Sequence, residues 1–365
     1  LSKRNSRGLI QVKEVLTRWY QRYFSEEEAV ILLVLLAAAL AVLLIFGDIL
    51  APVFVAVVLA YLMQGVANFL RHRGLPAEVS VGVSTLLFLS GFFAFLLGLA
   101  PLVWRQLMAL VREAPAMIEA GRRVLVTLPE EYPVLFTQQQ VNELTAVIQT
   151  EMASIGQLLV TKGLSSIPSV LATIVYVILI PLMVFFFLKD REQLINWFAG
   201  FLPKKRPLLD SIWRELNQQF ANYARGKGIE VVIVGAATYV VFAIFSLNYA
   251  ALLGLLVGLS VIVPYIGATL VTIPVLVVAY FQFGVTPDFY WVFGAYAVIQ
   301  ILDGNVLVPL LFSEAVDLHP VAIVIAVLFF GGLWGVWGVF FAIPLATLVN
   351  AILSAWPARD ATPGS

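Results

Sequence analysis

Apolar runs long enough to cross a bilayer recur along this chain, each followed by a short polar step. A spanning helix needs about 20 apolar residues, whereas a membrane barrel strand needs about 10 with strict alternation. The runs here are long and continuous, so the pattern predicts an all-α polytopic membrane protein of about eight transmembrane segments. The early spans are predicted from about Ala29 to Phe46, Ile49 to Leu70, Val79 to Val103 and Ile167 to Leu188. Gly47 and Asp48 predict a tight break between the first two. "RHRGLP" (71–76) predicts a short basic loop after the second.

Between the runs, a different period takes over. Residues 1–28 hold six Lys/Arg, and "EVLTRWYQRYF" predicts a helix at the membrane surface, with Trp19, Tyr20, Tyr23 and Phe24 in the interfacial belt. This charged stretch marks the first run as a retained span and not a cleaved signal peptide. Residues 104–166 carry five basic and six acidic residues, with an apolar stripe at Val141, Leu144, Ile148, Met152, Ile155 and Leu159. Such helices are expected to lie on the membrane or to pack against neighbouring subunits. Residues 189–228 carry eight basic against four acidic residues, and Leu209, Ile212, Leu216, Phe220 and Tyr223 form a second stripe. Lys/Arg-rich segments stay in the cytoplasm. The N-terminus, the 71–76 loop and 189–228 are therefore predicted inside, and 104–166 outside. The organisation read from these switches is 1–28, 29–103, 104–166, 167–188, 189–228, a membrane region 229–356 and a tail 357–365.

Two apolar stretches of the 229–356 region are interrupted. "GLLVGLSVIVPYIGATLVTIPVLVV" (254–278) contains Pro264 and Gly267. "VAIVIAVLFFGGLWGVWGVFFAIPLATLV" (321–349) contains Gly331, Gly332, Gly335 and Gly338. Both end in Ile-Pro, at 273–274 and 343–344, and both follow a polar step, "SLNYA" (246–250) and "VDLHP" (316–320). The pattern predicts a repeat of broken or re-entrant hydrophobic hairpins. Discontinuous helices in matching positions point to a transport site, although Gly and Pro also serve close helix packing in membranes.

Composition narrows the chemistry. The chain is 61% hydrophobic and 12% charged, with zero formal net charge, which gives no argument for a nucleic-acid partner. Cysteine is absent, and with it disulfides, thiol catalysis and Cys-ligated metals. His72 and His319 cannot assemble a metal cluster, and no hydrolase or P-loop motif is present, so neither an enzyme nor a cofactor is expected.

The acids of the C-terminal region carry the functional reading. From Gly228 to Ala358 there is no Lys or Arg, yet Glu230, Asp288, Asp303, Glu314 and Asp317 fall there. A carboxylate in hydrocarbon costs at least about 2.5 kcal/mol and usually faces a cavity or an ion path. Asp303 follows the run "WVFGAYAVIQIL" and precedes Gly304 and Asn305. It reads either as a titratable or ion-coupling group or as the cap of a broken helix. Asn305, Glu314 and His319 are further candidates for the path. Glu314, Asp317 and His319 fit an interfacial turn better, because "SEAVDLHP" is the least apolar stretch between two spans, and Asp288 fits a loop.

"DGNVLVPLLFSEAVDLHP", "VLFFGGLWGVWGVFFAIPLATL", "SVIVPYIGA", "IPLMVFFFLKDREQ" and "NYARGK" resemble the PerM-type permeases of the autoinducer-2 exporter (AI-2E) family. The resemblance covers about Trp19 to Trp356. It implies a bacterial inner-membrane protein of about eight spans, with a large extracytoplasmic segment between the third and fourth, and a homo-oligomer, possibly a pentamer; with the basic segments inside, both termini are expected in the cytoplasm. Carried over residue by residue are Asp303, Asn305, Pro309, His319, Pro320, the four glycines from 331 to 338, Pro264 and Gly267. Where many relatives have a proline in the second span, this chain reads "YLMQGV" (61–66). The expected function is a permease or secondary transporter exporting a small, autoinducer-2-like solute. The alternatives are a sodium(lithium)/proton antiporter and a non-transporting oligomeric scaffold. The expected partners are the lipid bilayer and a small-molecule or cation substrate.

Overall fold

The structure, a computed structural model, describes residues 27–131, 139, 143, 146, 167–204, 206–264, 266–312 and 318–355. The surface helix expected before residue 27, the 141–159 stripe, Glu314, Asp317 and the tail lie outside them. The regular secondary structure of the described residues is all helix. In chain order the helices are α1 (Glu27–His72), α2 (Ala77–Ala94), α3 (Ala100–Glu131), α4 (Ile167–Lys189), α5 (Arg191–Ala199) and α6 (Pro207–Ile244), then α7 (Ala250–Ser260), α8 (Ile266–Phe283), α9 (Pro287–Leu302), α10 (Val308–Phe312), α11 (Pro320–Phe340) and α12 (Ala342–Ala355). Among the described residues, five helical stretches are long and apolar enough to cross a membrane, and a sixth results if α4 and α5, bent by 78°, count as one. Shorter apolar helices, Val34–Gly47, Ala250–Ser260, Pro320–Gly335 and Ala342–Ile352, account for the rest of the apolar pattern. Large apolar side chains face outward along these helices, including Ile49, Leu86, Val232, Leu270 and Leu310. Outward apolar faces on this scale suit lipid and not water.

The chain forms two compact units, one within 1–84, 183–229 and 308–365, the other within 85–182 and 230–307. In the first unit, α1 remains helical through Gly47 and Asp48 but is not straight. A straight helix would separate Leu32 from Tyr61 by about 43 Å at 1.5 Å per residue. Instead Leu32 packs with Leu209 and Ile212 of α6, while the Tyr61 hydroxyl donates to Asn217 Oδ1 on the same helix at 2.8 Å. The chain therefore turns near Gly47–Asp48, where the sequence predicts it. Gly47 also makes room for an indole, because Trp334 Nε1 takes the place a Cβ would occupy. The stripe predicted on 189–228 is also present, with Leu209, Ile212 and Tyr223 buried and Leu216 packed on them. The helix that carries the stripe, α6, runs on unbroken to Ile244.

The second unit is built on α7, α8 and the C-terminal part of α6. Gly254 and Gly258 of α7 face α6, and a Cβ at Gly258 would lie 2.8 Å from both Gly235 Cα and Val231 O. Small residues at such a crossing let backbones meet and gain dispersion contacts, which replace the hydrophobic effect as the driving force in lipid. Phe242, Leu253, Val257, Val275 and Val292 are fully buried around this crossing. The described part of the 104–166 segment lies almost wholly in α3. A π-turn at Phe95–Leu99 joins α2 directly to α3. Val103, Leu107, Leu110 and Met117, one face of α3, pack on the core of this same unit. Gln106 Oε1 accepts from Leu252 N at 2.8 Å. This satisfies an amide in the first turn of α7, which has no side-chain cap of its own.

The glycine crossing predicts the response to mutation. Gly258→Leu should destabilise the detergent-solubilised protein by about 1–3 kcal/mol, whereas Gly91→Ala, where a Cβ meets nothing within 4 Å, should leave the thermal midpoint unchanged. Fluorescence-monitored unfolding of both variants checks this.

Candidate functional site

Each interrupted stretch forms a hairpin. In the second unit α7 is 11 residues long, about 16 Å, roughly half the hydrocarbon thickness. The chain then turns through Val261–Pro264 and returns as α8. The turn is held by Val263 N donating to Ser260 O at 3.0 Å and by Gly267 N donating to Val263 O at 3.0 Å. The Ser260 carbonyl occupies the place of a Gly267 Cβ, so only glycine lets the returning helix approach. In the first unit α11 loses helical geometry at Trp334 and at Gly335, whose φ is +60°. Phe330 and Gly338 would be about 12 Å apart in a continuous helix. Yet the Phe330 carbonyl occupies the place of a Gly338 Cβ, so the chain has reversed between them. Gly331 faces Val339 across the same turn, while Gly332 faces open space. Ser260 and Phe330, like the two Ile-Pro pairs, are seventy positions apart, and α7 and α11 begin at the same offset.

Two carboxylates accompany the first hairpin. The loop ends of α6–α7 and α8–α9 lie together, because the Gln282 amide accepts from Asn248 N at 2.6 Å and donates to Ser246 O at 2.8 Å. Counted from that end at 1.5 Å per residue, Ser260 lies about 15 Å along α7, Glu230 about 21 Å along α6 and Asp303 about 24 Å along the α9 run. Glu230 is 1% exposed. Asp303 is half-buried with its Oδ1 hidden, and it continues the inward stripe of Val292 and Tyr296. Between the acids and the loop end, Thr238 Oγ1 and Gln300 Nε2 are buried, and neither has a hydrogen-bond partner among the described residues. Glu230, at the edge of the basic segment, is the acid that sequence reasoning noted but did not single out.

Asp303 does not break its helix. The chain passes from α9 through a π-turn, Asp303–Leu307, into α10, and Pro287–Phe312 remains one span. The reading of Asp303 as the cap of a broken helix is corrected accordingly. Asn305, exposed, donates its Nδ2 to Ile301 O at 2.9 Å and belongs to the helix backbone. Pro309 gives the reason for the wider turn. It offers no amide, and its ring would strike the carbonyl four residues back. The other π-turn, Phe95–Leu99, also lies two residues ahead of a proline, Pro101. Turns of this kind recur at functional sites.

The remaining predicted residues divide by unit. Asp303, Asn305, Pro264 and Gly267 belong to the second, and Pro309, His319, Pro320, Gly331, Gly332, Gly335 and Gly338 to the first. His319 is the N-cap of α11, its Nδ1 accepting from Val321 N at 3.2 Å, with Pro320 in the first turn. Two features escaped the sequence reading. In the first unit Asn217 Oδ1 accepts from both Tyr61 and Arg191 beside two aromatic-walled cavities of about 300 and 200 Å³. In the second, a cavity of about 230 Å³ at the loop end is lined by Glu113, Met117, Asn248, Tyr249 and Gln282. Burial, then the hydrogen bond to Glu113 and its charge, push the Tyr249 hydroxyl up to about 12.

Comparison with known proteins decides the family. The model described as "AI-2E family transporter" matches residues 32–358. The chain belongs to the AI-2E transporter family. Within it, the chain is 45% identical over 344 residues to "Putative permease PerM" of Escherichia coli (strain K12), covering 94% of this chain and 98% of that one. It is 26% identical over 314 residues to "Putative transport protein YrrI" of Bacillus subtilis (strain 168), covering 85% and 87% of the two chains. Family membership and the apolar helices make this a multi-pass membrane protein of a permease family, as the C-terminal motifs imply.

Tyr249 gives a pH test. Its pKa is raised from 10.0 to about 12, so the unfolded chain loses this proton first and stability falls as pH rises between those values. Tyr249→Phe should remove that part of the alkaline loss in pH-dependent unfolding and leave the neutral-pH midpoint close to the parent's.

Proposed function

We propose that this chain is a secondary transporter of the bacterial inner membrane that moves a small solute and couples it to a proton or cation at Asp303 and Glu230. The observation that carries the reading is the grouping, inside one unit, of two buried or half-buried carboxylates at the depth of a helix hairpin that turns within an apolar segment. Intramembrane acids at discontinuous helices mark ion and proton relays in transporters. Carboxylates at such depth are the usual carriers of a proton or a cation along a transport path. The family name makes an autoinducer-2-like molecule the first solute to test, with export as the direction. The basic 71–76 and 189–228 segments support cytoplasmic termini.

In proteoliposomes loaded with a pH-sensitive dye, autoinducer-2 or sodium should drive proton movement through the parent protein. Asp303→Asn should lower that movement about a hundredfold or more, within the range spanned by lost proton-transfer groups, while Asn305→Ala should stay close to the parent. Sodium-driven proton flux without solute transport would identify an antiporter. Parent-like flux in Asp303→Asn would remove Asp303 from the mechanism, and a parent inert to every solute would favour a scaffold.

A further inference from the structure

We infer that the first unit holds a binding site for a small amphiphilic anion, with its head on Arg191 and Asn217 and its apolar body among aromatic side chains. The cavities of about 300 and 200 Å³ share Val57, Tyr61 and Trp213, so Tyr61 stands where one meets the other. Phe54, Phe220, Trp334 and Phe341 wall the larger one. Their rings hold one another: Trp334 and Phe341 are stacked at 5.9 Å, and Phe54 meets Trp334 edge-on at 5.1 Å. An apolar cleft of this size with a few convergent polar groups is the ordinary form of a small-molecule site.

The polar end fixes the sign of the ligand. Tyr61 donates to Asn217 Oδ1 at 2.8 Å and Arg191 Nη2 donates to the same oxygen at 3.2 Å. Arginine can only donate, so the amide oxygen must face it, and Asn217 Nδ2 is left to donate elsewhere. Among the described residues no carboxylate lies within ion-pair distance of Arg191, although Asp190 and Glu192 flank it in sequence. Arg191 is half-buried, lines the smaller cavity with Tyr61, Leu194 and Ile195, and also hydrogen-bonds Tyr61; with five donors it retains some that neither partner uses. A half-buried cation beside the Asn217 amide donor calls for an oxygen anion, a carboxylate or a phosphate ester, and planar forks favour the carboxylate. This site does not depend on the coupling acids. It is read by binding, so a failed flux test at Asp303 leaves it intact, and the reverse also holds.

The test uses the full chain in lipid nanodiscs and 8-bromooctanoate, whose bromine quenches nearby tryptophan; Trp213 and Trp334 line the cavities. The acid should quench saturably, more tightly than 8-bromooctan-1-ol or 8-bromooctylamine. Arg191→Gln should weaken the acid about tenfold, the scale of one charge-assisted contact, and leave the alcohol unchanged. Should Arg191→Gln fail to fold, Asn217→Asp, which places a carboxylate on Arg191, should abolish the acid's advantage in the same way. Equal, non-saturating quenching by all three probes, the signature of partition into lipid, would overturn the inference. So would an acid affinity indifferent to both substitutions.

Discussion

Inside hydrocarbon every backbone amide and carbonyl must find a partner, and in two apolar segments of the described chain a glycine-lined hairpin reverses its direction. That constraint selects its glycines. At each reversal the last carbonyls of the entering arm meet the Cα of a glycine in the returning arm, Ser260 with Gly267 and Phe330 with Gly338. A side chain at either glycine would push the arms apart and expose the turn's backbone. Once the arms are closed, short i→i+3 and i→i+4 bonds such as Val263 N to Ser260 O keep the turn paired without spanning the bilayer. The two hairpins differ in detail, since the second also needs a left-handed Gly335. They share the same device at the same seventy-residue offset.

The closed hairpin in turn sets what can stand beside it. Gly235, Gly254 and Gly258 bring α6 and α7 into backbone contact, which buries Glu230 on the next turn of α6. Asp303 reaches a similar depth on the α9 run because α8 returns to the loop end that Gln282 clamps. The carboxylates are therefore held at depth by packing of small residues some distance away. Gln106 and the apolar face of α3 close the same unit at its loop end.

Much of this was legible in the sequence, and the exceptions have physical reasons. The hairpins were readable because Pro264, Gly267 and the 331–338 glycines interrupt otherwise continuous apolar runs. The stripe of Leu209, Ile212, Leu216, Phe220 and Tyr223 was readable because one period served both the cytoplasmic-looking and the membrane part of α6. Asp-Gly-Asn misled because those residues favour caps and turns, whereas Pro309 decides the outcome by widening one turn without ending the helix. Gly47 was read as a turn residue alone, since Trp334, which sits on it, is far away in sequence. The Tyr61–Asn217–Arg191 cluster left no local signal, because its members come from three helices.

A coupling site beside the first hairpin requires the α7–α8 turn to be a polar, water-reached place within an apolar protein. The chain has no cysteine, so single thiols can be introduced without background. Water access is read by modification of Ser260→Cys with a small, membrane-impermeant cationic thiosulfonate in sealed vesicles, beside Leu270→Cys on the outward apolar face of α8 and Asn248→Cys in the loop. The cysteines at 260 and 248 should react while the one at 270 should not. An unreactive cysteine at 260 from both sides of the membrane, with the loop cysteine fully labelled, would show that the turn is dry and that no such site stands there.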